Sequence, residues 1–213
     1  MERPAGEAIK SELASSVPGL PQAEPSLKIT YVQPKDFTGL LRYVRNILVV
    51  TIDPTAYTKV SVGYENNVWA RGQVVVSLKA PNTESIVEYS KTHEKALVNF
   101  FVKVEMNRAI EQLQKEYSMV VMDNLKSDLN VMLNAPANFT YYKDTTDFFW
   151  SSNNANTGRM DLIVYTFPYT DPNTFTEEYL VAKRDSVLKR ICRVRSRVPI
   201  CKQKRVREWS IRQ

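Results

Sequence analysis

Polar and apolar residues alternate through "KVSVGYEN" (59–66) and, after a short break, "VWARGQVVVSLKA" (68–80), whereas "ILVVTID" (47–53) is apolar almost without interruption. Alternation at period two predicts half-buried strands, here joined by a hairpin turn at Asn66-Asn67. The unbroken run predicts a strand buried on both faces. Upstream, "LKITYVQP" (27–34) alternates well enough for a strand ended by Pro34. "KDFTGLLRYVRN" (35–46) places Phe37, Leu40, Leu41 and Val44 at helical spacing. A first helix is expected over Ala5–Ser15, stopped by Pro18, Pro21 and Pro25.

From Asn82 to about Tyr117 the period lengthens to that of a helix. Ile86, His93, Leu97, Phe100, Phe101 and Val104 form one stripe, continued by Ile110, Leu113 and Tyr117. Asn82 or Thr83 can cap it, with Glu84 well placed in the first turn. Such a helix would be roughly 50 Å long, so a break near Asn107 is expected. "MVVMDNLKSDLNVML" (119–133) is read as more helix passing into a strand over Leu129–Leu133. Three strands follow, at Phe139–Lys143, Asp147–Ser151 and Met160–Phe167. The last two are separated by the polar loop "SSNNANTG", where Gly158 supplies a positive φ. A final helix starts at Thr174, with Thr174 and Glu177 as a capping box.

This order describes an α+β fold, a mainly antiparallel sheet with helices packed on one face. One domain over residues 1–189 is expected. An alternative division gives two ferredoxin-like halves, one of about residues 1–80 with the helix 82–117 and one of 118–189.

Charge then separates a body from a tail. The 213 residues carry 29 Lys and Arg against 23 Asp and Glu, but nine of those bases and one acid fall in residues 190–213. The remaining 20 bases and 22 acids give residues 1–189 a net charge of −2, so the overall basicity belongs to the tail. Both cysteines, Cys192 and Cys201, also lie in the tail, which leaves the body without a disulfide or a thiolate metal site. "MERPAGEAIKSELASSVPGL" has no apolar stretch of the signal-peptide kind, and no window approaches a membrane span.

Candidate chemistry is sparse. His93, the single histidine, sits on the apolar helix stripe and reads as a packed structural ring. With no second histidine and no body cysteine, zinc sites of imidazole and thiolate are excluded, as is a nucleophile with a different histidine as base. Neither Gly-x-x-x-x-Gly-Lys nor Gly-x-Gly-x-x-Gly occurs. Asp144 with Asp147 and Asp123 with Asp128 are the close carboxylates, and each reads as surface solvation. No catalytic residue, metal ligand or cofactor is assigned. The aromatics Tyr141, Tyr142, Phe148, Phe149, Trp150, Tyr165, Phe167 and Tyr169 fall on neighbouring strands. Half of them should point away from the core, and Tyr141, Phe149, Trp150, Tyr165 and Tyr169 are the candidate ligand face. Trp69 beside Arg71 suggests a cation–π contact. Asn138-Phe139-Thr140 fits a glycosylation triplet and carries no weight.

"VPGLPQAEP" (17–25), "YVRNILVVTID" (43–53), "MDLIVYTFPYTD" (160–171) and "YLVAKRDSVLKR" (179–190) together resemble a Bacteroidetes cell-envelope family catalogued only as a domain of unknown function. The resemblance spans roughly Glu2 to Lys189 and carries no catalytic motif. It implies a lipoprotein held on the periplasmic side by a lipidated cysteine upstream of the segment beginning "ERPAGEAIKSEL". Against that pattern the chain reads as truncated at both ends. Residues from about 190 read as translated out of frame and disordered, because a one-base shift in a back-translation of Ile191–Gln203 allows a Pro-Gly loop of the kind expected there.

The expectation is therefore a non-enzymatic envelope lipoprotein fragment, a binding or structural module whose partner is an envelope protein, a peptide or a glycan. Two rivals are weighed. A nucleic-acid-associated protein would use the tail as a basic arm, but "RVRSRV" lacks helical amphipathicity and interleaved aromatics. A carboxylate-based glycan hydrolase would need paired acids in an aromatic-lined cleft.

Overall fold

A computed structural model describes residues 4–191 apart from Gly19 and Pro21. Pro21 of the expected helix stop, and the basic tail from Cys192 with both cysteines, lie outside the described residues. The chain divides into two compact units at Arg108–Ala109. The described residues form an α+β fold with two separate three-stranded sheets, so the single sheet expected from the sequence is in fact two.

In the first unit, helix α1 (Pro4–Leu13) is followed by two short 3-10 turns, Pro34–Asp36 and Gly39–Tyr43. Strands β1 (Asn46–Ile52), β2 (Ser61–Asn66) and β3 (Val74–Ala80) come next, then helix α2 (Thr83–Thr92) and helix α3 (Ala96–Lys115), whose residues from Ala109 fall in the second unit. The sheet order is β1-β3-β2, with β1 parallel and β2 antiparallel to β3. Central β3 sends Val74, Val76, Leu78 and Ala80 into a core closed by Ala5, Ile9 and Leu13 of α1, Ile86 of α2, and Leu97, Val98 and Phe101 of α3.

The expectation that "ILVVTID" is buried on both faces is not met. Only Ile47 of β1 is buried, while Val49, Val50 and Ile52 are 37, 40 and 45% exposed. β1 is an edge strand, and the central, most buried position belongs to β3. The β2–β3 connection is a seven-residue loop rather than a two-residue turn, because Asn66 pairs with Val74. Gln73, 1% exposed, holds that loop. Its Nε2 donates to Arg42 O at 2.6 Å and Val44 O at 2.7 Å, and its Oε1 accepts the Trp69 N–H at 3.0 Å. The expected strand at 27–34 does not form, although Leu27 and Ile29 pack against the core. The helix expected from Phe37 is reduced to the 3-10 turn Gly39–Tyr43, whose first residue, Gly39, takes a left-handed φ of +54°.

The long helix of residues 82–117 is two helices, and the break is at His93–Lys95 rather than Asn107. Lys95 has φ +62°, which ends any α-helical run. Asn82 caps α2 as expected, its Oδ1 accepting the Ser85 N–H at 2.9 Å. His93 is exposed at the end of α2, its ring stacked on Tyr89 at 4.3 Å. It is therefore a surface ring at a helix end, not a residue packed on an apolar stripe. The first turn of α3 gains a cap from far away in sequence, the Leu97 N–H donating to Glu12 Oε1 at 2.8 Å.

In the second unit, α4 (Met119–Leu129) is capped by buried Ser118 and ends at Asn130, which is left-handed at φ +53°. The strand expected at Leu129–Leu133 is absent, because Leu129 completes the helix and the chain then runs unpaired to Ala135. Strands β4 (Tyr141–Thr145), β5 (Phe148–Ser152) and β6 (Asp161–Tyr165) form an antiparallel meander. Gly158 takes the expected positive φ, +66°, in the loop before β6. A 3-10 turn, Pro172–Phe175, precedes α5 (Glu177–Ile191). Thr174 is buried in that turn, so the helix is capped instead by Thr176, whose Oγ1 accepts the Tyr179 N–H at 3.4 Å. The core is Val121, Leu125, Ala135, Phe139 and Phe149. A ferredoxin-like half needs four strands around two helices, and neither three-stranded sheet is one.

Candidate functional site

Register fixes which aromatics share a face of the second sheet. Asp144 is opposite Phe149, which is opposite Val164, and Tyr142 is opposite Ser151, which is opposite Leu162. Phe149, Leu162 and Val164 enter the core, so this face turns inward toward α4. The other face carries Tyr141, Lys143 and Thr145 from β4, Phe148 and Trp150 from β5, and Asp161, Ile163 and Tyr165 from β6.

Of the expected ligand face, Tyr141, Trp150 and Tyr165 thus stand on one outward surface. Tyr141 is 56% exposed, and Trp150 and Tyr165 are half-buried. Phe149 does not join them. It is 1% exposed in the core, because neighbours in a strand point to opposite faces and Phe149 precedes Trp150. Tyr169 lies beyond the end of β6, exposed and stacked on Phe175 at 5.4 Å. The residues missed by sequence reasoning are Phe148, Ile163 and Lys143, and the period-two offset from Trp150 could have found them.

Polar groups frame the outward surface. Trp150 Nε1 donates to Asp161 Oδ1 at 3.0 Å, and Arg159 grips the same carboxylate through Nε and Nη2. The Arg159 guanidinium holds the Asp161 carboxyl below its ordinary range, so the indole meets a fixed anion. Lys143 is directly opposite Trp150. At the β6 end the stack continues from Tyr165 to Phe167 at 6.1 Å and to Tyr179 of α5 at 6.0 Å, with Lys183 Nζ 4.6 Å from the Phe167 ring. Aromatic planes flanked by fixed charges can stack a flat ligand and orient its polar edge.

The carboxylates rearrange. Asp144 does not pair with Asp147, nor Asp123 with Asp128. Instead Asp128 of α4 and Asp144 of β4 share a hydrogen bond, which pushes Asp144 up, while Ser127 and that bond hold Asp128 down. This pair lies on the α4 side of the sheet, opposite Trp150 and Tyr165, so acids and aromatic platform do not share a cleft. Trp69 meets Phe37 edge-on at 5.7 Å, not Arg71. A shallow groove of about 400 Å³, lined by Gln112, Leu113, Glu116, Pro136 and Asn138, brings in one carboxylate and no partner for it. Among the described residues no cluster of three or more metal-ligating side chains occurs, and no helix is long and apolar enough to cross a membrane.

Comparison with protein families matches residues 1–114 to the one described as Domain of unknown function (DUF8532), and residues 118–197 to Domain of unknown function (DUF4837). No curated protein and no solved structure matches the chain.

Proposed function

The chain belongs to the DUF8532 family, a domain of unknown function, and we propose that it is a non-enzymatic binding module of the bacterial cell envelope. The observation that carries this reading is the outward face of the second sheet. Tyr141, Trp150, Ile163 and Tyr165 present stacking surface there, and the Asp161–Arg159 pair is fixed at its edge. The ligand is envelope material, a glycan or a peptide, stacked across β4, β5 and β6. The family resemblance supports a Bacteroidetes source and attachment through a lipid on an upstream cysteine. Neither the residues brought together nor the family matches support catalysis or nucleic-acid binding.

Two measurements test this reading. Envelope glycan fragments and peptides titrated into the protein should quench tryptophan emission, and Trp150→Ala should weaken binding at least tenfold with the fold intact. Binding unchanged by Trp150→Ala, or no binding by either ligand class, removes the face from consideration. For the address, metabolic lipid labelling of the product of the natural gene, followed by cell fractionation, should give a lipidated envelope protein. An unlabelled cytoplasmic product overturns it.

A further inference from the structure

The free edge of β1 is built as a self-complementary interface, and we propose that two copies of this chain associate by antiparallel β1–β1 pairing. Edge strands carry a row of unpaired amides and are commonly protected by a charge, a proline or a bulge. β1 has none of these. It runs for seven residues as Asn-Ile-Leu-Val-Val-Thr-Ile, and among the described residues only β3 pairs with it.

Its hydrogen-bond phase shows what the edge offers. The Val74 N–H donates to Arg45 O and the Asp53 N–H to Ala80 O, so the odd-numbered residues use their backbone groups toward β3. Asn46, Leu48, Val50 and Ile52 therefore present their N–H and C=O groups to the free side. An antiparallel pairing centred on Val49 places Leu48 opposite Val50 of the other copy and Asn46 opposite Ile52. Every outward backbone group then meets an outward backbone group, and the two-fold axis falls on a non-hydrogen-bonded Val49–Val49 pair.

Charge selects the same register. Arg45 and Asp53 flank the strand, and pairing about Val49 sets Arg45 of each copy opposite Asp53 of the other. Both are odd-numbered, so they lie on one face and in the closer kind of cross-strand pair. Arg45 is 72% exposed, with only a 3.7 Å approach to Glu105. Asp53 takes hydrogen bonds from Thr55 and Ala56 through Oδ1. A shift of two residues keeps the backbone phase but separates both ion pairs. The association also covers Val49, Val50 and Ile52, which are exposed on the two faces of the strand. It would join two three-stranded sheets into one of six.

The full chain under reducing conditions should show twice its 24.5 kDa mass by light scattering, dissociating on dilution. Val49→Lys puts two ammonium groups face to face, and Val50→Pro removes an N–H that the fold itself does not use. Each should weaken association at least tenfold with an unchanged circular dichroism spectrum. Arg45→Asp and Asp53→Arg should each be monomeric alone. Mixed together they should form a heterodimer, since both cross-strand pairs then become opposite in charge. A wild-type monomer throughout the dilution series overturns the proposal. So does a dimer indifferent to Val49→Lys and Val50→Pro, which would use another surface. Failure of the two charge variants to combine overturns the register.

Discussion

The two sheets use apolar residues in opposite ways. In β1-β3-β2 coverage is set by place in the sheet: five of the seven residues of central β3 are buried, whereas β1, equally apolar, is an edge with one. In β4-β5-β6 apolar residues are consecutive along the strands, yet the two faces differ, one entering the core and the other turned outward with its aromatics. A strand's own residues thus leave open which face is inside when its apolar residues are consecutive. They do not determine its neighbours when it is apolar throughout.

The sharpest test of that contrast is truncation at the two core centres. Phe149→Ala should cost about 3–5 kcal/mol and Leu78→Ala about 2–5 kcal/mol, read as loss of stability in urea. Val49→Ala on edge strand β1, by contrast, should cost under about 1 kcal/mol in the same measurement at dilutions where the chain is monomeric, because the side chain is already partly exposed. Comparable losses at Val49 and Leu78 in the monomer would mean that β1 is not an edge of its own sheet.

A smaller effect is expected at Gln73, which ties the β2–β3 loop to the segment before β1. Gln73→Ala leaves two carbonyls and one N–H without their partners, a loss of about 2–3 kcal/mol. Gln73→Glu should be worse than Gln73→Met at neutral pH, since a carboxylate would face the Arg42 and Val44 carbonyls. Equal stability of the two variants would contradict the bonding described.

The smallest effect separates the units by pH. Asp144 is raised chiefly by its hydrogen bond to Asp128, so the native state keeps a proton there that the unfolded chain has released. That contribution is full below the ordinary carboxylate value and is lost as pH rises through the raised one. Asp128 is lowered and acts in the opposite sense, losing its contribution as pH falls through its folded value. Asp53, in the first unit, is lowered by Thr55 and also loses its contribution on acidification. Asp144→Asn should therefore remove the decline in stability just above the usual carboxylate range, and Thr55→Val should flatten the acid limb. A pH–stability curve unchanged by Asp144→Asn would sink the shared hydrogen bond.

Legibility from sequence follows the same division. β4, β5 and β6 are readable to within two residues, because aromatic and β-branched residues concentrate in their runs between turn-forming stretches. Which aromatics face out is not, because Phe148, Phe149 and Trp150 are consecutive and only the position of α4 decides between them. Residues 47–52 and 74–78 look alike as strings, and nothing local says which strand the other two flank. The helix break at Lys95 was hidden because lysine carries no left-handed preference, unlike Asn130 or Gly39. Thr174 and Thr176 are alike as residue types suited to a cap, and the turn begun by Asp171-Pro172 takes the first into the interior and leaves the second to cap α5.

The cap that Glu12 places on α3 has a consequence for the order of events during synthesis. Its partner amide is 85 residues further along, so α1 leaves the ribosome long before the helix it completes. Closing a loop of that length costs about 4 kcal/mol of chain entropy beyond a constant, repaid only when α2 and α3 dock on β3. The first unit therefore cannot mature from its N-terminus forward. It must wait for Leu97, which makes α1 a latecomer in folding although it is translated before α3.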